Sequence, residues 1–228
     1  MKRNVRFVLI VLAVLSLANA ANATSLATLI SGNTQIILGD KVFGDWSFNL
    51  SSGSGVTSAG IDVAVTQIGY TYWLTFTGDM ITGTTGTDFQ LYYTVATVSG
   101  SPLIIGIDQW MQPSPGLDGG TVIITETAHS GSFVGPQVAM STVGFNLAGS
   151  DTQDPPAELV QLDSLVISPP LSKIWVVKDL YINPAVPGSE MGFSILKQSF
   201  HQVPEPGTLL LLGLGLSGLA LWVRKNRN

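Results

Sequence analysis

Residues 70–77 read YTYWLTFT, and residues 89–96 read FQLYYTVA. In the first, Tyr70, Tyr72, Leu74 and Phe76 alternate with Thr71, Trp73, Thr75 and Thr77. In the second, Phe89, Leu91, Tyr93 and Val95 alternate with Gln90, Tyr92, Thr94 and Ala96. Successive side chains of a strand point to opposite faces, so a period of two marks a strand buried on one face. The β-branched and aromatic residues suit that pleated surface. The same alternation recurs at Trp46, Phe48 and Leu50, at Ile61, Val63 and Val65, and at Val122 and Ile124. Further strands are expected near 104–107, 136–141, 162–167, 174–182 and 191–200. Turn formers separate the runs: 51–55 (SSGSG), Gly78-Asp79, 82–87 (TGTTGT) and 113–120 (PSPGLDGG). Only 157–163, after Pro155-Pro156, reads as a helical turn. About eight to ten short antiparallel strands predict an all-β fold, a single jelly-roll-like β-sandwich over residues 24–202.

The two ends have a different character. Lys2, Arg3 and Arg6 precede the apolar run FVLIVLAVLSL at 7–17. Two A-x-A sites follow, Ala18-Asn19-Ala20 and Ala21-Asn22-Ala23. Basic, then apolar, then small is the order of a secretory signal peptide, here residues 1–23. The run is too short to span a bilayer, which needs about 20 residues. Residues 207–223, GTLLLLGLGLSGLALWV, carry no charge and are followed by Arg224, Lys225 and Arg227. As a helix they extend roughly 25 Å, near the lower limit for a transmembrane span. A basic tail stays cytoplasmic, so the sequence before 207 is expected outside.

The charge is just as uneven. All fifteen acids lie between Asp40 and Glu205, where the only bases are Lys41, Lys173, Lys178 and Lys197, a net charge of −11. Such a field repels phosphate backbones and argues against nucleic acid as a partner. With no cysteine, the exported domain has no disulfides and no thiolate chemistry, and its core must hold by packing and strand pairing.

The junction between domain and tail reads Val203-Pro204-Glu205-Pro206-Gly207-Thr208. With the apolar span and basic tail, residues 203–228 resemble the C-terminal signal of the PEP-CTERM family of exported bacterial proteins. The resemblance implies recognition of Pro204, Glu205 and Pro206 by an exosortase, a multi-pass membrane enzyme, and removal of the helix. It also implies a Gram-negative source, often one producing exopolysaccharide and biofilm matrix. The physical logic agrees: Pro204 and Pro206 hold the chain extended and remove two amide donors, which presents Glu205 outside regular structure. The alternative is a helix terminator ahead of a permanent single-pass anchor. A second likeness, at 34–48 (TQIILGDKVFGDWSF), is to the Gly-Asp-Lys-x-Phe opening of other proteins bearing this tag. It implies no activity, and a turn at Gly39-Asp40 accounts for those residues equally well.

Other chemistry is sparse. The exported domain has two histidines, His129 and His201, and no Gly-x-Ser-x-Gly elbow, so no serine-hydrolase centre is recognisable. Two isolated histidines without cysteine do not make a zinc site. Asp118 and Asp151–Asp154 are loop acids that leave calcium as the one cation to consider, though neither forms an EF-hand loop. Trp73 and Tyr92 fall on the faces opposite their strands' apolar sets, and Trp110 precedes the Pro-rich loop. These three are the candidate platform for stacking a carbohydrate such as exopolysaccharide. The expectation is a non-enzymatic surface or matrix protein. It is handled by signal peptidase and exosortase and held briefly in the inner membrane by its helix. The alternative is a carbohydrate- or calcium-binding module.

Overall fold

The computed structural model describes residues 19–20, 23–53, 55–82, 86–113, 120–147, 158–160, 162–185 and 190–202. The chain opens with β1 (Asn19–Ala20), β2 (Thr24–Ser25), a short helix α1 (Leu26–Ser31) and β3 (Ile36–Leu38). Then come β4 (Lys41–Ser52), β5 (Ile61–Ile68), β6 (Thr71–Thr82), β7 (Thr87–Thr97) and β8 (Ile104–Pro113). The remainder is β9 (Gly120–His129), β10 (Gln137–Leu147), β11 (Glu158–Val160), β12 (Leu162–Leu171), β13 (Lys173–Pro184) and β14 (Met191–Gln202). One antiparallel sheet runs β1-β5-β6-β14-β8-β12, with β2 also on β5. The other runs β11-β10-β9-β13-β7-β4-β3.

The inward-facing halves of the alternating runs meet between the sheets. Phe200 packs on Phe43 with ring centroids 5.6 Å apart, and Tyr93 packs on Phe76 at 5.8 Å. These edge-on and tilted contacts join the two sheets without any crosslink. The strands are longer than their turn residues suggest. Gly78-Asp79 is not a turn: β6 runs straight through it, and Gly78 pairs with Ile61. Gly78 has φ of 144°, and a Cβ there would lie 2.0 Å from the carbonyl oxygen of Gly60. The glycine is needed for close approach within the sheet rather than for a reversal. Gly78→Ala should therefore cost about 3 kcal/mol through strain and overpacking. A urea midpoint within error of wild type would contradict this.

The expected helical turn at 157–163 is also corrected. Glu158–Val160 is strand β11, paired to β10, and β12 begins at Leu162. The helix lies instead at Leu26–Ser31, where Ser25 caps it by accepting from the Thr28 amide at 3.3 Å. Leu26 and Leu29 seal its buried side. Among the described residues no helix is long and apolar enough to cross a membrane. Residues 207–223 lie outside them, as do residues 1–18.

At the centre of the sandwich the core turns polar. Lys178 and Glu126 are directly opposed on β13 and β9, and Gln198 and Gln109 are directly opposed on β14 and β8. All four are fully buried. Lys178 Nζ donates to Glu126 Oε2, to Gln109 Oε1 at 2.6 Å and to Gln198 Oε1 at 2.7 Å. Gln109 Nε2 in turn donates to the Ile124 carbonyl and to Ser141 Oγ, both at 3.2 Å. Burial pushes the lysine pKa down and the glutamate pKa up, and their mutual attraction opposes both shifts.

Candidate functional site

The outer face of the β14 sheet carries the most distinctive surface. Cross-strand pairing places Thr66, Trp73, Ser199, Asp108 and Ser164 in one row across β5, β6, β14, β8 and β12. The adjacent row holds Ala64, Thr75, Lys197 and Trp110. Directly paired residues share a face, so Trp73 and Trp110 sit diagonally across β14. Strand spacing puts their Cα atoms roughly 12 Å apart. Together with Thr66, Ile68, Thr75 and Lys197 they line an open groove of about 480 Å³. Lys197 Nζ lies 5.2 Å from the Trp110 ring centroid, a cation–π contact that holds the ammonium in the groove.

Tyr92 is not part of this surface. It lies on the outer face of the other sheet, where its ring meets Phe133 edge-on at 5.5 Å and its hydroxyl donates to Gln90 Oε1 at 2.5 Å. The three proposed platform residues therefore divide into a pair and a singleton. Alternation along each strand gives only the inside or outside face, whereas the choice of sheet depends on non-local pairing.

Next to the groove are three side chains that the sequence does not link. Ser199 Oγ donates to Asp108 Oδ2 at 2.7 Å, and His201 Nε2 lies 2.5 Å from the same carboxylate oxygen and 3.0 Å from Ser199 Oγ. In a hydrolase triad the carboxylate and serine use opposite ring nitrogens of the histidine. Here one nitrogen faces both, the serine proton is directed at the carboxylate, and Ser199 is fully buried. The cluster is a cross-strand polar clasp. Burial pushes the Asp108 pKa up, but hydrogen bonds from His201, Ser164 and Ser199 outweigh it and hold the carboxyl below its ordinary value. Its contribution to stability is thus present above the ordinary carboxylate range and lost as pH falls through the lowered value. His129 is a loop-holding residue, with Nδ1 2.9 Å from the Gly135 carbonyl oxygen.

The Gly39-Asp40-Lys41 stretch shapes the point where the chain leaves the domain. Gly39 and Asp40 make the turn between β3 and β4. A Cβ on Gly39, where φ is 56°, would lie 2.4 Å from the Tyr72 hydroxyl. Lys41 is fully buried, with Nζ 2.7 Å from Asp40 Oδ1, 4.8 Å from the Tyr72 ring centroid, and donating to Gln202 Oε1. Burial lowers the Lys41 pKa against the pull of Asp40, and burial beside Asp40 raises that of Tyr72 to about 12. Lys41 thereby ties the last residue of β14 to the opposite sheet.

Several predicted residues lie outside the described ones: Pro204, Glu205, Pro206, Arg224, Lys225, Arg227, Ala18, Ala21, and the loop acids Asp118, Asp151 and Asp154. Ala20 is in β1, opposite Thr66, and Ala23 is exposed just before β2. Among the described residues no three His, Asp or Glu side chains gather as a metal site.

No curated protein matches the chain. Among solved structures, a carbohydrate-binding module studied for specific mannan recognition aligns with 82% of this chain and 99% of that one. The identity is 10% and the TM-score 0.31. The tail is where similarity is specific. Residues 202–225, starting at the Gln202 that Lys41 holds, match the family model for the PEP-CTERM protein-sorting motif, and this chain carries that sorting signal.

Proposed function

We propose that this is a non-enzymatic, exported surface or extracellular-matrix protein whose address is written in its tail. The observation that carries the reading is the sorting motif beginning at the last residue of β14. In this account signal peptidase cuts after Ala20 or Ala23. Either cut removes Asn19–Ala20 and leaves Thr24–Ser25 paired to β5. The helix 207–223 then holds the domain on the outer side of the inner membrane until an exosortase acts near Pro204-Glu205-Pro206. The sandwich passes to the cell surface or the matrix as cargo. The test is to express the chain with and without the matching exosortase and compare its C-terminal peptide. Identical termini in both strains would sink the reading.

A second reading concerns what the cargo does, and the Trp73–Trp110 groove favours it. Two tryptophans with Cα atoms roughly 12 Å apart across an open sheet face suit an extended saccharide better than a compact metabolite. Lys197, lying between them, adds a donor and a positive charge. Trp73→Ala and Trp110→Ala should each weaken retention on the producer's own exopolysaccharide by about tenfold, and Tyr92→Ala should not change it. Equal retention of all three variants in affinity electrophoresis would count against the groove.

A further inference from the structure

We infer that the end of the sandwich from which β14 leaves is built to lie against the membrane surface. This rests on the reading of 207–223 as a transmembrane span. Only residues 203–206 separate Gln202 from Gly207, so the two Cα atoms are at most about 18 Å apart. Lys41 fixes Gln202 to the opposite sheet, so the domain has little freedom to lift away.

The surface around Gln202 has the chemistry that such apposition needs. Ile104 pairs directly with Gln202 on one flank, and on the other Tyr72 pairs with Phe200. The connections beside them are the β5–β6 turn and the loop from Val98 to Leu103, the latter joined to the β3–β4 turn by the Val98 amide donating to the Asp40 carbonyl at 2.8 Å. On these two connections and at the end of β5, Ile68 is 58% exposed, Tyr70 50%, Val98 44% and Leu103 39%. A tyrosine with aliphatic neighbours is the composition favoured at the headgroup level.

Charge is arranged along the same axis. Of the acids toward this end, Asp40 pairs with Lys41 at 2.7 Å, Asp45 pairs with Lys173 at 3.0 Å, and Asp108 is held by Ser199 and His201. Asp62, Asp88 and Asp179 lie toward the opposite end. The domain, with fourteen acids and four lysines over residues 24–202 and thus a net charge of −10, is turned so that much of its acidic charge points away from an anionic lipid surface, which would repel it. The consequence for sorting is geometric: the Pro-Glu-Pro segment is offered at the bilayer surface, within reach of an enzyme embedded there.

The absence of cysteine makes the test direct. The full chain is placed in nanodiscs containing phosphatidylglycerol, as single-site variants Tyr70→Cys, Leu103→Cys, Tyr181→Cys and Leu214→Cys. Each carries an environment-sensitive dye; quenching is read with a headgroup-depth spin-labelled lipid for 70, 103 and 181, and with a lipid spin-labelled deep in its acyl chain for 214. Labels at 70 and 103 should be quenched several-fold more than the label at 181, on the outer face of the other sheet. If 214 is quenched but 70 and 103 behave like 181, the helix spans and the apposed surface is wrong. If 214 itself escapes quenching, the transmembrane reading fails and this inference falls with it.

Discussion

Replacing Lys178 by methionine will cost the domain about 3–5 kcal/mol, enough to approach the whole stability of an ordinary domain. The reason is what stays behind. Glu126 is fully buried, and losing its ammonium partner strands a carboxylate between the sheets. Gln109 and Gln198 lose their shared donor at the same time. The double variant Lys178→Met, Glu126→Leu should recover most of that loss. It removes both charges, and the two glutamines are directly opposed on neighbouring strands, where their amides can pair. The wild-type network is itself incomplete: Glu126 Oε1 and the hydroxyl of fully buried Tyr93 have no hydrogen-bond partner among the described residues. An imperfectly satisfied ion pair is poor stabilisation relative to well-packed apolar side chains. Urea unfolding of the two variants decides the matter. A single variant within about 1 kcal/mol of wild type, or a double variant no better than the single, would contradict this account of the core.

Changing Pro204-Glu205-Pro206 to Ala-Ala-Ala should leave signal-peptide removal intact and abolish processing at the C-terminus. The substitution removes the charge, restores two amide donors and frees two φ angles, so the segment is no longer held extended outside regular structure. Alanine is the best helix former, so the changed segment would tend to extend the following helix upward toward β14. The protein should then accumulate in the membrane fraction with residues 207–228 attached. Normal release of the triple variant would mean that the enzyme reads only the span and tail.

Much of the fold was readable because strand parity is local. Trp46, Val63, Leu74, Phe76, Leu91 and Ile124 all face inward as their alternation requires. The same parity also places Lys178 inside, between Val176 and Leu180, and Glu126 inside, between Ile124 and Ala128. What parity cannot supply is that these two residues and two glutamines meet across the sandwich, since that depends on pairing between β9, β13, β8 and β14. Gly78-Asp79 was misread for a related reason. Glycine is the residue of turns, but it also serves where two backbones come close, and only the approach of Gly60 distinguishes the two. The site divides in the same way. Trp73 and Trp110 share a groove because β14 lies between β6 and β8, whereas Tyr92 belongs to the other sheet. The Asp108–Ser199–His201 clasp left no sequence signal beyond polar residues at outward positions. The sorting motif, by contrast, needs no tertiary structure to be recognised, because its parts are consecutive.

The most direct test is the intact mass of the protein recovered from the producer's envelope and medium, with both terminal peptides sequenced. The account predicts a chain beginning at Ala21 or Thr24 and ending near Pro206, with or without an added group. A chain ending at Asn228 would contradict it, and would make this an ordinary single-pass membrane protein with an external β-sandwich.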